Sequence, residues 1–135
     1  MARIVVRKNF RFENALKDLT PTERDMRRAG EELAVKIENR TLSGRDENNQ
    51  PFAPLAQPKY GKDKADLHDT GQMFGDFGVV KATTKSVGLG FRTRRSERIA
   101  DYHQAGTRNM PARPFLGVTD RWVADIMRRL FRRRR

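Results

Sequence analysis

The chain has 135 residues, 36% hydrophobic and 34% charged, with a formal net charge of +12 and no cysteine. That length suits one domain with one modest core, and the lack of cysteine excludes disulfides, thiolate metal sites and a cysteine nucleophile. No apolar run approaches the ~20 residues of a membrane helix, and Ile4-Val5-Val6 is too short for a signal peptide, so the composition points to a soluble protein made in the cytoplasm.

In chain order, residues 3–7 alternate as a short strand, with Ile4 and Val6 on one face. Phe10, Phe12, Ala15, Leu16 and Leu19 then suggest an apolar connection or one short helix. Thr20-Pro21-Thr22-Glu23 carries a capping box, with Thr20 as N-cap, Pro21 at the first helical position and Glu23 at the third. Met26, Ala29, Leu33 and Ile37 follow at helical spacing, opposite Arg24, Arg27, Arg28, Glu31, Lys36 and Glu38. The pattern predicts an amphipathic helix over residues 21–41. No second helix follows at a tight turn, so its arginines do not make a helix-turn-helix.

Residues 43–64 are rich in Gly, Pro, Asn and Asp and show neither periodicity. Loops above ~12–15 residues are usually functional or disordered. Phe52, Leu55 and Tyr60 predict an ordered one, tied to this subunit or the next. Residues 67–74 suit a short helical turn beginning near Asp69 or Thr70. Residues 77–83 and 86–92 alternate as a two-stranded hairpin, in which Gly88 and Gly90 mark a bulge or a close backbone approach. A helix is expected over 95–105, with Ile99, Tyr102 and His103 near one face.

Pro111 and Pro114 fix φ and remove two backbone donors, and they push Met110 and Arg113 towards extended geometry. Residues 110–118 should therefore form a stiff arm that delivers Phe115 and Leu116 to an apolar surface. Thr119 or Asp120 caps a last helix, on which Trp122-Val123, Ile126-Met127 and Leu130-Phe131 make an apolar stripe. The expected fold class is α+β: a small antiparallel sheet packed by one long amphipathic helix and a C-terminal helix, with a long ordered loop.

The basic excess is concentrated. Arg128, Arg129, Arg132, Arg133, Arg134 and Arg135 are six of the last eight residues, and removing them takes the balance from +12 to +6. Residues 1–127 read as the domain and 128–135 as a basic tail. Such a block contacts phosphates, releasing their counterions, pairs with an acidic face of a neighbouring protein, or stays solvated.

Reactive chemistry is not visible. His68 lies between Asp66 and Asp69, but no second cluster completes a metal shell. His103 reads as a hydrogen-bonded structural histidine, and Asp76, Asp101 and Asp125 are scattered. The glycines match neither phosphate-binding fingerprint. No catalytic, cofactor-binding or metal residue is expected, no cofactor either, and the protein is not read as an enzyme.

LHDTGQM at 67–73, YHQAG at 102–106 and MPARPFLG at 110–117 carry a resemblance, supported in order and spacing by Arg40-Thr41, Gly44, Pro51-Phe52-Ala53-Pro54-Leu55 and Tyr60. The chain resembles the phage virion morphogenesis family, the tail completion proteins of Mu-like phages, over roughly residues 29–120. The resemblance implies a structural virion protein forming a ring at the neck or upper end of the tail, with a hexamer favoured. It would join head and tail after assembly in the host cytoplasm. Its partners would be itself, neighbouring tail or connector proteins and DNA in the channel, with no membrane and no small-molecule substrate. In that picture Phe52, Leu55, Tyr60, Met110, Arg113, Phe115 and Leu116 form the subunit interface, and the six arginines meet a polyanion or acidic partner. The alternative is a small basic nucleic-acid-binding protein that uses its arginine tail.

Overall fold

The long helix α1 (Glu23–Leu42) starts two residues later than the first threonine of Thr-Pro-Thr-Glu suggests. Two capping boxes overlap in this stretch, and the second one forms. Thr22 Oγ1 accepts from the Asp25 N–H at 3.2 Å, and the Asp25 carboxylate accepts from the Thr22 N–H at 2.9 Å. Pro21 thus stands just outside the helix, where its missing N–H costs nothing. At the other end Ser43 closes α1, and Gly44 reverses the chain at a φ of 83°. The structure, a computed structural model, describes residues 5–11, 21–53, 72–108 and 111–132.

The other elements are β1 (Val5–Arg11), α2 (Gln72–Gly75), β2 (Phe77–Ala82), β3 (Ser86–Phe91), α3 (Arg94–Ala105) and α4 (Asp120–Arg132). The fold is α+β, as the alternation and the helical spacing suggest. β1, β3 and β2 form, in that order, a three-stranded antiparallel sheet. β1 runs to residue 11 rather than stopping at 7, so Phe10 belongs to the sheet and not to a connection. Residues 12–20, the rest of the expected connection, lie outside the described residues, as do 54–64 of the long loop and 67–71 of the expected helical turn.

β2 and β3 form the expected hairpin, but without Asn-Gly. The Thr83 hydroxyl accepts from the N–H groups of Lys85 and Ser86 at 3.2 and 3.0 Å, replacing the chemistry of a primed turn. The register slips on both sides of β3. Val6 pairs with Gly90 and Lys8 with Leu89, leaving Arg7 as an extra residue in β1. Val79 pairs with Leu89 and Lys81 with Gly88, leaving Val80 extra in β2. The irregularity therefore falls opposite the two glycines, in their neighbours rather than in β3 itself.

α1 packs across β2 and β3, α4 lies along α1, and α3 touches β3 and α2. Met26, Ala29, Leu33 and Ile37 face a core completed by Val87, Leu89, Phe91, Phe115 and Ile126. Where α1 crosses the sheet it carries Gly30. A Cβ there would run into Val87 and lie 2.8 Å from Cγ2 of Val79. Both neighbours are β-branched and stiff at χ1. Gly30→Ala gains about 1 kcal/mol of helix propensity but overpacks the crossing by about 1–3 kcal/mol. A lowered urea midpoint is expected; a raised one would mean that α1 lifts off the sheet without cost.

Candidate functional site

Residues 113–117 lie outside every helix and strand, and among the described residues they join no sheet. Side chains and turns supply their partners instead. The Arg113 N–H donates to the His103 carbonyl at 2.6 Å, and the Pro114 carbonyl accepts from the Glu47 N–H at 3.0 Å. Gln104 Oε1 accepts from the N–H groups of Phe115 and Leu116 at 3.1 and 3.3 Å. Nη2 of Arg40 donates to the carbonyls of Phe115 and Gly117 at 2.7 and 2.8 Å. Five consecutive residues are thus held by α1, α3 and the turn after α1.

Arg40 is the centre of this lock. It is only 9% exposed, and its guanidinium lies 4.6 Å from the Trp122 ring centroid, with Nζ of Lys36 over the same ring at 5.5 Å. Burial lowers its pKa, and the nearby carboxylates of Glu47 and Asp46 oppose that shift. Arginine stays charged across the working pH range, so a buried cation joins arm, helix and indole. Arg113, 4% exposed, points the other way, and its Nε donates to the Ala53 carbonyl at 2.9 Å. Arg40 fastens the arm to the end of α1, and Arg113 fastens it to residue 53 at the far end of the turn at 43–53. That turn is itself ordered, because the Asp46 carboxylate accepts from the N–H groups of Asn48 and Gln50 at 2.9 Å each. Gly117 leaves room for Glu47, whose Cβ and Cδ would lie 2.7 and 2.8 Å from a side chain at that position.

Beside the lock, Lys36, Asn39, Arg40, Glu47, Arg121 and Trp122 line an open cleft of about 800 Å³. Among the described residues no three His, Asp or Glu side chains converge as metal ligands do. Among the described residues the buried Nδ1 of His103 has no hydrogen-bond partner. Burial, and then the neighbouring Arg113 cation, lower its pKa, and it is the backbone carbonyl of His103 that holds the arm. Asp76 is tied rather than scattered. Ser96 and Thr93 donate their hydroxyls to its carboxylate and, with Arg92 nearby, hold its pKa below the usual range.

The residues expected at a subunit interface fall differently. Phe52, Arg113, Phe115 and Leu116 are buried within the chain's own structure, so the arm spends its side chains inside the subunit. Phe115 meets Phe74 edge-on, with ring centroids 5.8 Å apart. Leu55, Tyr60 and Met110 lie outside the described residues, as do His68 and Arg133, Arg134 and Arg135. Of the tail arginines, Arg129 is ion-paired with Glu32 of α1, and Arg128 lies 3.7 Å from Asp125. Arg129 thereby pins α4 antiparallel to α1, in keeping with Trp122 lying at Arg40. Arg132 is the last residue of α4.

The model of the phage virion morphogenesis family matches residues 8–133, which takes in the arm, the lock and nearly every described element. The chain belongs to the phage virion morphogenesis family. Neither a curated protein nor a solved structure matches it. Membership supports a structural or assembly role in a phage virion. No helix among the described residues is long and apolar enough to cross a membrane.

In this virion morphogenesis chain, Glu47 goes unnoticed in the sequence, and Arg40 and Gln104 enter only as members of the family's motifs, with no role attached. Each is one polar side chain on an otherwise ordinary stretch, with partners between 11 and 77 positions away. The signal that does exist is the arm itself. Five residues between prolines and a helix cap need backbone partners, and nothing adjacent in sequence supplies them.

Proposed function

We propose that the protein is a non-enzymatic structural subunit that assembles with copies of itself into a ring, a hexamer, at the neck or upper end of a phage tail. There it joins tail to head beside neighbouring tail or connector proteins. The family match over residues 8–133 is the observation that carries this reading. A rigid subunit suits such a role, and the lock on the arm supplies rigidity.

The exposed apolar side chains support a self-contact. Val35 and Leu42, 54% and 38% exposed, are seven residues apart and so share the face of α1 turned away from the sheet. A heterologous contact of that face with another patch on the next copy closes into a ring when the rotation allows. Light scattering on the purified chain should give one discrete oligomeric mass that persists at high salt. Val35→Asp with Leu42→Asp should return it to a monomer with an unchanged melting temperature, because exposed substitutions move stability by only about 0.5 kcal/mol. A wild-type monomer at every concentration would count against a self-assembling ring.

A further inference from the structure

The strongest unassigned charge lies not in the arginine tail but at the start of α3. Arg92, Arg94, Arg95 and Arg98 are four arginines within seven residues, and all four are exposed. Thr93 caps the helix, its Oγ1 accepting from the Ser96 N–H at 3.2 Å, so the backbone that carries the arginines is fixed. Among the described residues no ion pair engages Arg94, Arg95 or Arg98.

Among the described residues, the nearby acid Asp76 offsets Arg92 rather than the arginines of the helix. The Asp76 carboxylate is taken up by the hydroxyls of Thr93 and Ser96, and Ser96 is fully buried. Glu97 is half-buried and its Oε2 is shielded from solvent. Asp101 is the exposed acid on the same helix, about one turn further along. Arg92 donates to the Gly75 carbonyl and has Asp76 nearby, which leaves Arg94, Arg95 and Arg98 as the exposed cations of α3 itself. The positive end of the helix dipole adds to them.

We propose that this face of α3 binds the phosphate backbone of double-stranded nucleic acid. Arg94 and Arg98 are spaced about 6 Å apart along the helix, so one edge can follow successive phosphates. Protein interfaces centre on buried apolar and aromatic anchors, and Tyr102 is the exposed large apolar side chain on this helix. It lies on the line of Arg95, seven residues on, where a hydroxyl serves a phosphate or sugar as well. A surface of guanidinium groups with one tyrosine suits a sequence-independent polyelectrolyte contact better than an acidic protein face. The inference is independent of the ring, because a monomer presents the same helix.

The test uses the full chain and a fluorescently labelled duplex, with anisotropy titrations at several salt concentrations. Arg94→Gln, Arg95→Gln and Arg98→Gln together should weaken binding at least tenfold at about 50 mM salt and flatten the log–log salt slope by about 3. Arg133→Gln, Arg134→Gln and Arg135→Gln remove the same charge and should cost less. Replacing the three α3 arginines by lysine should keep most of the slope. If the triple glutamine variant melts early, Arg98→Gln alone should flatten the slope by about 1. Equal losses from both triple variants would reduce the effect to net charge and overturn the site. So would wild-type affinity and slope in the α3 variants, or tighter binding of polyglutamate than of duplex, which would assign the face to an acidic protein.

Discussion

Phe115→Ala should destabilise the subunit by about 3–5 kcal/mol, the range for emptying a buried phenylalanine site. Phe115 is fully buried, packs edge-on against Phe74, and is held by backbone bonds on both sides, to Gln104 and to Arg40. The arm is therefore poorly able to collapse into the space, and the cost should fall at the high end. Domains of this kind have about 5–15 kcal/mol in total, so the variant should unfold at markedly lower urea. Phe115→Leu should recover part of the loss. A loss below about 1 kcal/mol with a collapsed oligomer would move the side chain from the core to an intersubunit contact. The point matters for any assembly experiment: an oligomer lost in Phe115→Ala does not by itself report on an interface, whereas one lost in Val35→Asp and Leu42→Asp does.

Arg40→Met should cost about 3–4 kcal/mol, from two hydrogen bonds to a charged donor at about 1.5–3 kcal/mol each, less the partial rehydration of the Gly117 carbonyl. The substitution keeps the aliphatic stem but leaves the Phe115 carbonyl buried without its donor. Arg40→Lys should rescue less than half of this, because an ammonium cannot reproduce the fork or stack on the indole in the same way. Trp122 is the single tryptophan, so its fluorescence reports the event directly. In the variant, the emission change should come at lower denaturant than in the wild type. Wild-type stability in Arg40→Lys would show that charge alone, and not the geometry of the guanidinium, holds the arm.

Much of the fold is legible because it rests on periodicity. Met26, Ala29, Leu33 and Ile37 mark α1 at its helical spacing, and all four are buried. The alternation over 77–92 marks the hairpin, and Thr119 Oγ1 indeed accepts from the Trp122 N–H at the start of α4. The misreadings have local causes. Thr20 and Thr22 each precede an acid three residues on, so spacing alone does not choose between them. β1 looks short because the extra residue Arg7 breaks its alternation. The site was legible only in outline. The prolines announce an extended arm, but its partners Arg40 and Gln104 are defined by tertiary placement alone. The arginines at the head of α3 were plain in the sequence and were overshadowed by the denser run at 128–135.

The long reach of Arg40 has a consequence for timing. Its two acceptors lie 75 and 77 residues further along the chain, which at about 5–20 residues per second is roughly 4–15 s of synthesis. Throughout that interval the guanidinium is hydrated, and the flank of α1 that will receive the arm and α4 has nothing to cover it. A translation pause within the intervening stretch would lengthen that exposure, and copies emerging side by side on one message would meet with those flanks still open. The protein's yield should therefore fall when the ribosome is slowed between residue 40 and residue 117.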